Sequence, residues 1–535
     1  MINIYTMRIL FTEIWMLLLA ACGMADTYVR QPSIDVIHYD ISIELTDRSD
    51  IITGTTRIQV RMQTENASGM WLDFAYMDVD TLLVQGKERN FSYRDGRLSF
   101  DFGRTCAKNE IVAIEVRYHG KPQNGGMLIG KNSYGRWVTF TDNWPDLAHH
   151  WFPSIDHPSD KATVDVTVTA PEKYDVVSNG RIVRTVPLLD GRKRTQWTES
   201  KPIPTYCIAI GVAEFSISSP GDAAGIPLSW YSYPQDAEAA AQKFSRTGLA
   251  LQFFGGLIDP YPYEKLAQVQ SNIRAGGMEN ASAIFYSESS FKGMPVAEAP
   301  VPHEIAHQWF GDSVTEADWD HLWLSEGFAT YFDALFYEKL YGPQSLKQMM
   351  AACAQKLNAY RFAHSAPIVD PAQVDPVKKL NSLNYEKGAW VLHMLRGILG
   401  DSSFFEGIRR FYRLYAGGNA LSEDLQKVME SVSGIELSTF FRQWLYQPGW
   451  PEYHISWHWD AAAGEVELLV RQVQTTGLFD MPLDIAFLSE DGQEAHRIRI
   501  TDETHRFRIP LRARPLSVEV DPEGKLLKSA STASY

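Results

Sequence analysis

The chain has 535 residues, 45% of them hydrophobic and 12% aromatic, which is too long for one core and too apolar for a disordered polymer. With 65 acidic against 50 basic residues, its formal charge is −15. That balance argues against a nucleic-acid partner, because phosphate binding needs a basic face.

The first 25 residues read as an export signal. Arg8 precedes an apolar stretch from Ile9 to Ala21, and small residues follow. Leu19-Ala20-Ala21-Cys22 has the form of a lipobox, in which Cys22 would carry lipid; a competing cut falls after Gly23-Met24-Ala25. The run is too short to span a bilayer, and Glu13 interrupts it. The expectation is an exported protein, periplasmic or lipid-anchored if bacterial, touching membrane only through that anchor. Downstream, Cys106, Cys207 and Cys353 show no paired spacing, so each is expected to be a small buried hydrophobe.

From about 27 to 220 the chain alternates with period two, as in Ile37–Ile43, Arg57–Arg61 and Ala162–Val168. This predicts an antiparallel β domain, with Ser178-Asn179-Gly180 as a hairpin turn. Helical spacing takes over near Pro234, over Asp236–Leu257, Glu326–Tyr341, Tyr385–Leu399 and Ser402–Tyr415, within a mainly α region from 221 to 449. Pro448-Gly449-Trp450-Pro451 then breaks the pattern. Runs such as Glu465–Val470 and His496–Ile500 predict a small C-terminal β-sandwich over 450–535. The fold class is therefore α+β and multidomain: β, then mostly α, then β.

The chemistry centres on His303-Glu304-Ile305-Ala306-His307. On a helix, residues four apart share a face about 5–6 Å apart, so both imidazoles can reach one zinc ion. Glu304 lies one position round, free to act as a base rather than a ligand. Alone the pentapeptide is a moderate signal, since a helix with two surface histidines looks the same. Glu326, inside Leu322-Trp323-Leu324-Ser325-Glu326-Gly327, strengthens it by completing a two-His, one-Glu set. Asp333, seven residues on, shares the face of Glu326 and is a candidate acceptor for a ligating imidazole's N–H.

The sequence resembles the aminopeptidase-N family of gluzincin metallopeptidases. Three motifs carry the resemblance: the pentapeptide with Trp309-Phe310-Gly311-Asp312 and Glu326, then Gly276-Gly277-Met278-Glu279-Asn280, and Tyr385-Glu386-Lys387-Gly388. Weaker echoes lie in Phe152–Pro158 and Thr205-Tyr206. The resemblance implies a thermolysin-like catalytic domain, one zinc ion per chain, and peptide substrates with a free amino end. It implies that Glu279 binds the substrate ammonium and that Gly276 and Gly277 pair with substrate backbone. Met278 would line the first side-chain pocket, Asn280 would complete the motif, and Tyr385 would donate to the oxyanion. Alternatives stay open: an endopeptidase or an epoxide hydrolase on the same metal, or a peptide-binding lipoprotein without activity. Oligomeric state is not legible.

The sequence departs from the family at several points. Gly277 stands for the usual alanine, Ala281 for a tryptophan, and Ser325 for an asparagine. Asp142-Asn143-Trp144 occupies the place of a Gln-x-Glu, leaving Asp142 as a weak candidate for a second acidic anchor. The large helical C-terminal domain of many relatives has no counterpart, which would leave the site more open.

Overall fold

The computed structural model describes residues 26–292 and 300–534; the expected export signal lies outside the described residues. The N-terminal region is built on an eight-stranded sheet with smaller sheets against it. Alternation decides it: every second residue from Ile52 to Met62 is buried, with Thr and Arg facing out between them. Ser49–Met62 pairs antiparallel with Ile34–Thr46, as expected. On its other side Ile34–Thr46 runs parallel to Lys161–Pro171, Ile41 lying opposite Val166. Parallel pairing needs a long crossover, which no local pattern announces.

The expected hairpin at Ser178-Asn179-Gly180 does not form. The strand before it, Asp175–Ser178, pairs with Ile210–Ala213, whereas Arg181–Pro187 pairs with Arg192–Pro204 in a different sheet. The turn is a crossover between sheets. Asn179 holds it by donating to the carbonyls of Cys207 and Ala281, at 2.8 and 2.6 Å. Gly180 is required there: its φ is +67°, and a Cβ would lie 1.9 Å from the Thr198 carbonyl.

A five-stranded sheet opens the catalytic region. Its outer strand Ser216–Ala223 spans the expected break at 220/221, and Gly277–Met278 forms the opposite edge. The helices follow the predicted order. Asp236–Leu257 splits into Ala237–Lys243 and Thr247–Leu257, because Phe244 turns inward to pack on Trp230 and Tyr286. The two helices predicted over Tyr385–Tyr415 join end to end across Gly400, whose φ is +74°. Beyond Leu445 two sheets form the C-terminal sandwich, one holding Glu452–Asp460 and Glu465–Gln472, the other Met481–Ser489 and Gly492–Ile500. Cys106, Cys207 and Cys353 are free and buried.

The N-terminal sheet grips the catalytic region through Lys161. Its Nζ donates to the carbonyls of Asp312 and Ser313, both at 2.8 Å, and of Gly418 at 3.2 Å. Its neighbour Asp160 is less well served. Oδ1 accepts from Val36 N at 3.3 Å, while Oδ2 is buried without a partner. Burial, with Asp35 nearby, pushes its carboxyl up to about 8. The folded state therefore keeps a proton that the unfolded chain releases above about pH 4, so stability falls as pH rises from about 4 to 8. Asp160→Asn removes that loss. Its melting temperature should match wild type near pH 4 and exceed it increasingly up to pH 8, as thermal unfolding across the range will show.

Candidate active site

The helix Val301–His307 is only seven residues long and largely buried, starting with Pro302 in its first turn, where a missing N–H costs nothing. His303 and His307 project from one face, their Nε2 atoms 3.1 Å apart. The next long helix, Trp323–Tyr341, brings Glu326 against them: its Oε2 lies 3.4 Å from His303 Nε2 and 3.3 Å from His307 Nε2. Tetrahedral donors about 2.0–2.1 Å from an ion stand roughly 3.3–3.4 Å apart. Two of the three separations match that spacing and the third, 3.1 Å, is slightly shorter; Glu326 Oε2 is buried with no hydrogen-bond donor of its own. The donor set fits a divalent ion of the zinc type.

Orientation of the ligands comes from the chain around them. His307 Nδ1 lies 3.1 Å from the Phe310 carbonyl and 3.0 Å from Ser325 Oγ, so Nε2 is left to face the ion. Gly311 makes room for this: its φ is +126°, and a Cβ would lie 2.5 Å from Ser325 Oγ. Ser325 had been visible only as a departure from the family pattern, with no role attached. Its place directly before Glu326 was the available signal. Asp333 is half-buried two turns beyond Glu326, and its charge reaches Glu304. The contacts of His307 just described go to Phe310 and Ser325.

Tyr385 is carried by a single π turn, Leu383–Lys387, ahead of the helix Gly388–Tyr415. Its hydroxyl donates to Glu326 Oε1 at 2.7 Å, and its ring stacks parallel to His303. Two glycines permit the approach. A Cβ on Gly327 would lie 2.9 Å from the backbone of Gly388, so the two segments cross at backbone contact.

Glu279 comes from the opposite wall. Gly277–Met278 is the edge strand, with Met278 buried opposite Phe285 and Gly276 exposed. Glu279, Glu304 and His307 each offer a ligand-type atom within 4.8 Å of the others. The structure gives Gly277 a reason: a Cβ there would lie 2.2 Å from Glu304 Oε1. Asn280 is buried with its Nδ2 unsatisfied. Asp142 accepts from Arg274 N at 3.4 Å, bracing the approach to Gly276. Asn143 is committed to Ile208 O and Trp151, and Trp144 packs on Trp319.

The electrostatics follow from burying three carboxyl and two imidazole groups together. Burial lifts Glu304 well above the carboxylate range, with Glu279 adding to it. Burial likewise lifts Glu279. His303 is pushed down by burial, whereas the carboxylates around His307 outweigh burial and raise it. Glu326 resists burial and stays low, held by both imidazoles.

Comparison with known proteins agrees with this geometry. Residues 36–207 match the peptidase M1 N-terminal domain, and 246–444 match the peptidase family M1 domain, together more than half of the chain. The chain belongs to peptidase family M1. Among curated M1 proteins, it is 27% identical over 459 residues to the glutamyl aminopeptidase of Bitis rhinoceros, covering 79% of this chain and 48% of that protein. To aminopeptidase 2 of Candida albicans it is 24% identical over 474 residues, covering 84% and 50%. The chain thus spans about half the length of the curated relatives it matches. The two matched segments include the metal-type ligands, Glu304, Tyr385 and the Gly276–Asn280 segment, and leave 208–245 unmatched.

Ser325→Ala removes the hydroxyl from His307 while leaving every ligand in place. Affinity for a divalent ion should fall about 10- to 100-fold, read by competition with a chelator on the purified protein.

Proposed function

We propose that the chain is a zinc-dependent aminopeptidase, hydrolysing the N-terminal residue from peptides. The observation that carries this reading is the pairing of a metal-type donor triangle with two further carboxyls, Glu304 and Glu279, within 4.8 Å of His307. One zinc ion per chain, held by His303, His307 and Glu326, would supply Lewis-acid polarisation of the scissile carbonyl and an acidified water.

The chain's own residues do the rest. Glu304 takes the proton of the attacking water and returns it to the leaving amine. Glu279 offers a buried carboxylate to the substrate ammonium, which limits cleavage to the first peptide bond. Tyr385 swings its hydroxyl from Glu326 Oε1 to the oxyanion, adding a donor where charge develops. The edge of Gly277–Met278 accepts substrate backbone as a further strand. Asp333, half-buried and with its charge reaching Glu304, is the candidate acceptor for a ligating imidazole's N–H. The signal supports an exported protein, either anchored through Cys22 or cut after Ala25; the first division falls between Ala213 and Ser216, ahead of the strand that crosses 220, and the second near 450.

Glu304→Gln should keep bound metal, by elemental analysis, while losing nearly all turnover on aminoacyl fluorogenic amides; retained activity would defeat the base assignment. Tyr385→Phe should lower kcat about 10²–10³-fold. Activity of the wild type should vanish with a chelator. Cleavage of N-acetylated peptides as fast as free ones would instead make the protein an endopeptidase.

A further inference from the structure

Glu279 can count one residue from the amino end only if its distance from the metal ligands is rigid. Yet it sits on a loop at a sheet edge, while the histidines sit on a separate helix. Gln308, next in chain after His307 and 0% exposed, joins the two. Its Nε2 donates to the Glu279 carbonyl at 2.6 Å and to Asp312 Oδ2 at 2.8 Å. Its Oε1 accepts from Ser282 N at 2.8 Å and lies 2.9 Å from the Tyr261 hydroxyl, whose single proton is shared with the Lys265 carbonyl at 3.0 Å. Three of the four hydrogen bonds an amide can readily make are uncontested, and the fourth is shared with Lys265. The reversed amide would set N–H against N–H at Ser282 and oxygen against oxygen at Glu279 and Asp312, so one orientation is fixed.

The loop itself is held against a cost. Ser282 adopts φ +62°, unfavourable for a residue with a Cβ. Its Oγ accepts from Gly180 N at 2.6 Å and its carbonyl from Lys265 Nζ at 2.9 Å, while Asn179 donates to Ala281 O. These contacts tie the loop to the sheets. Gln308 ties it to the metal helix, one contact on each side of Glu279–Ser282.

We infer that Gln308 is a positioning residue that sets the cleavage register, fixing the Glu279 loop relative to the His303 and His307 helix. This rests on the aminopeptidase reading. Misplacement by about 1 Å away from the reacting atoms can cost on the order of 10²-fold.

The test uses the full chain loaded with zinc and two probes, an aminoacyl hydroxamate and its des-amino counterpart. Both chelate the metal, and the first alone reaches Glu279. Calorimetry gives the affinity ratio for wild type, Gln308→Met and Tyr261→Phe. Gln308→Met keeps the volume and loses the hydrogen bonds. It should bind the des-amino probe within about threefold of wild type and the amino probe at least about tenfold more weakly. Tyr261→Phe removes one of the four contacts and should move the ratio in the same direction by a smaller factor. If Gln308→Met does not fold, Gln308→Asn, whose shorter amide cannot reach Glu279 O and Ser282 N together, is measured with the same two probes and decides. An unchanged ratio in the folded variants overturns the inference. A wild type that does not distinguish the two probes fails earlier, and overturns the amine-anchor reading itself.

Discussion

Glu326 has to stay ionised in an interior from which water is excluded. Moving a carboxylate out of water costs several kcal/mol unless charge and hydrogen bonds replace the lost hydration. Two imidazoles at 3.3 and 3.4 Å face one of its oxygens, and the Tyr385 hydroxyl serves the other. Both imidazoles come from one helix and the hydroxyl from another segment, so the site forms only when three helical segments, that of Glu326 included, have packed. Gly327 against Gly388 sets how closely two of them pack. The metal-type triangle is therefore a consequence of tertiary structure, although its ligands are spaced in sequence as if it were local.

The same constraint explains why so many polar groups are buried behind the site. Gln308, Asp312, Ser282 and Lys265 form a continuous hydrogen-bonded layer beneath Glu279. A buried polar layer is stable only when its members are satisfied, and it then rigidifies what rests on it. Asp312 shows the extent of the layer: its Oδ1 accepts from Cys207 Sγ at 3.2 Å, and its own carbonyl accepts from Lys161 of the N-terminal sheet. The N-terminal region is thus part of the active-site scaffold, reaching under the metal helix from the far side.

Period-two and helical spacing located the β, α and β regions, because those patterns depend on neighbours along the chain. The ligand spacing located His303, His307 and Glu326 for the same reason. What the sequence did not disclose are contacts between separate segments of the chain. Asn179 looked like a hairpin residue, since Asn-Gly favours such turns, but its amide is spent on Cys207 and Ala281 in distant segments. The parallel pairing of Ile34–Thr46 with Lys161–Pro171 leaves no local mark either. Gln308 sat in plain view beside His307, yet nothing in its spacing revealed four partners on three other segments.

The departures from the family pattern have a common physical sense. At Gly277, Ala281 and Ser325 a smaller residue stands where the pattern has a larger one, and at Gly277 another group takes the space. The Glu304 carboxyl lies over Gly277, the Asn179 amide reaches the Ala281 carbonyl at 2.6 Å, and the Ser325 hydroxyl meets His307 Nδ1. At Ser325 the short side chain makes its hydrogen bond in a low-dielectric interior, where it is worth more than at the surface. Such exchanges are coupled. Restoring a single larger residue, without removing the group that has taken its place, would produce a clash or an unpaired donor.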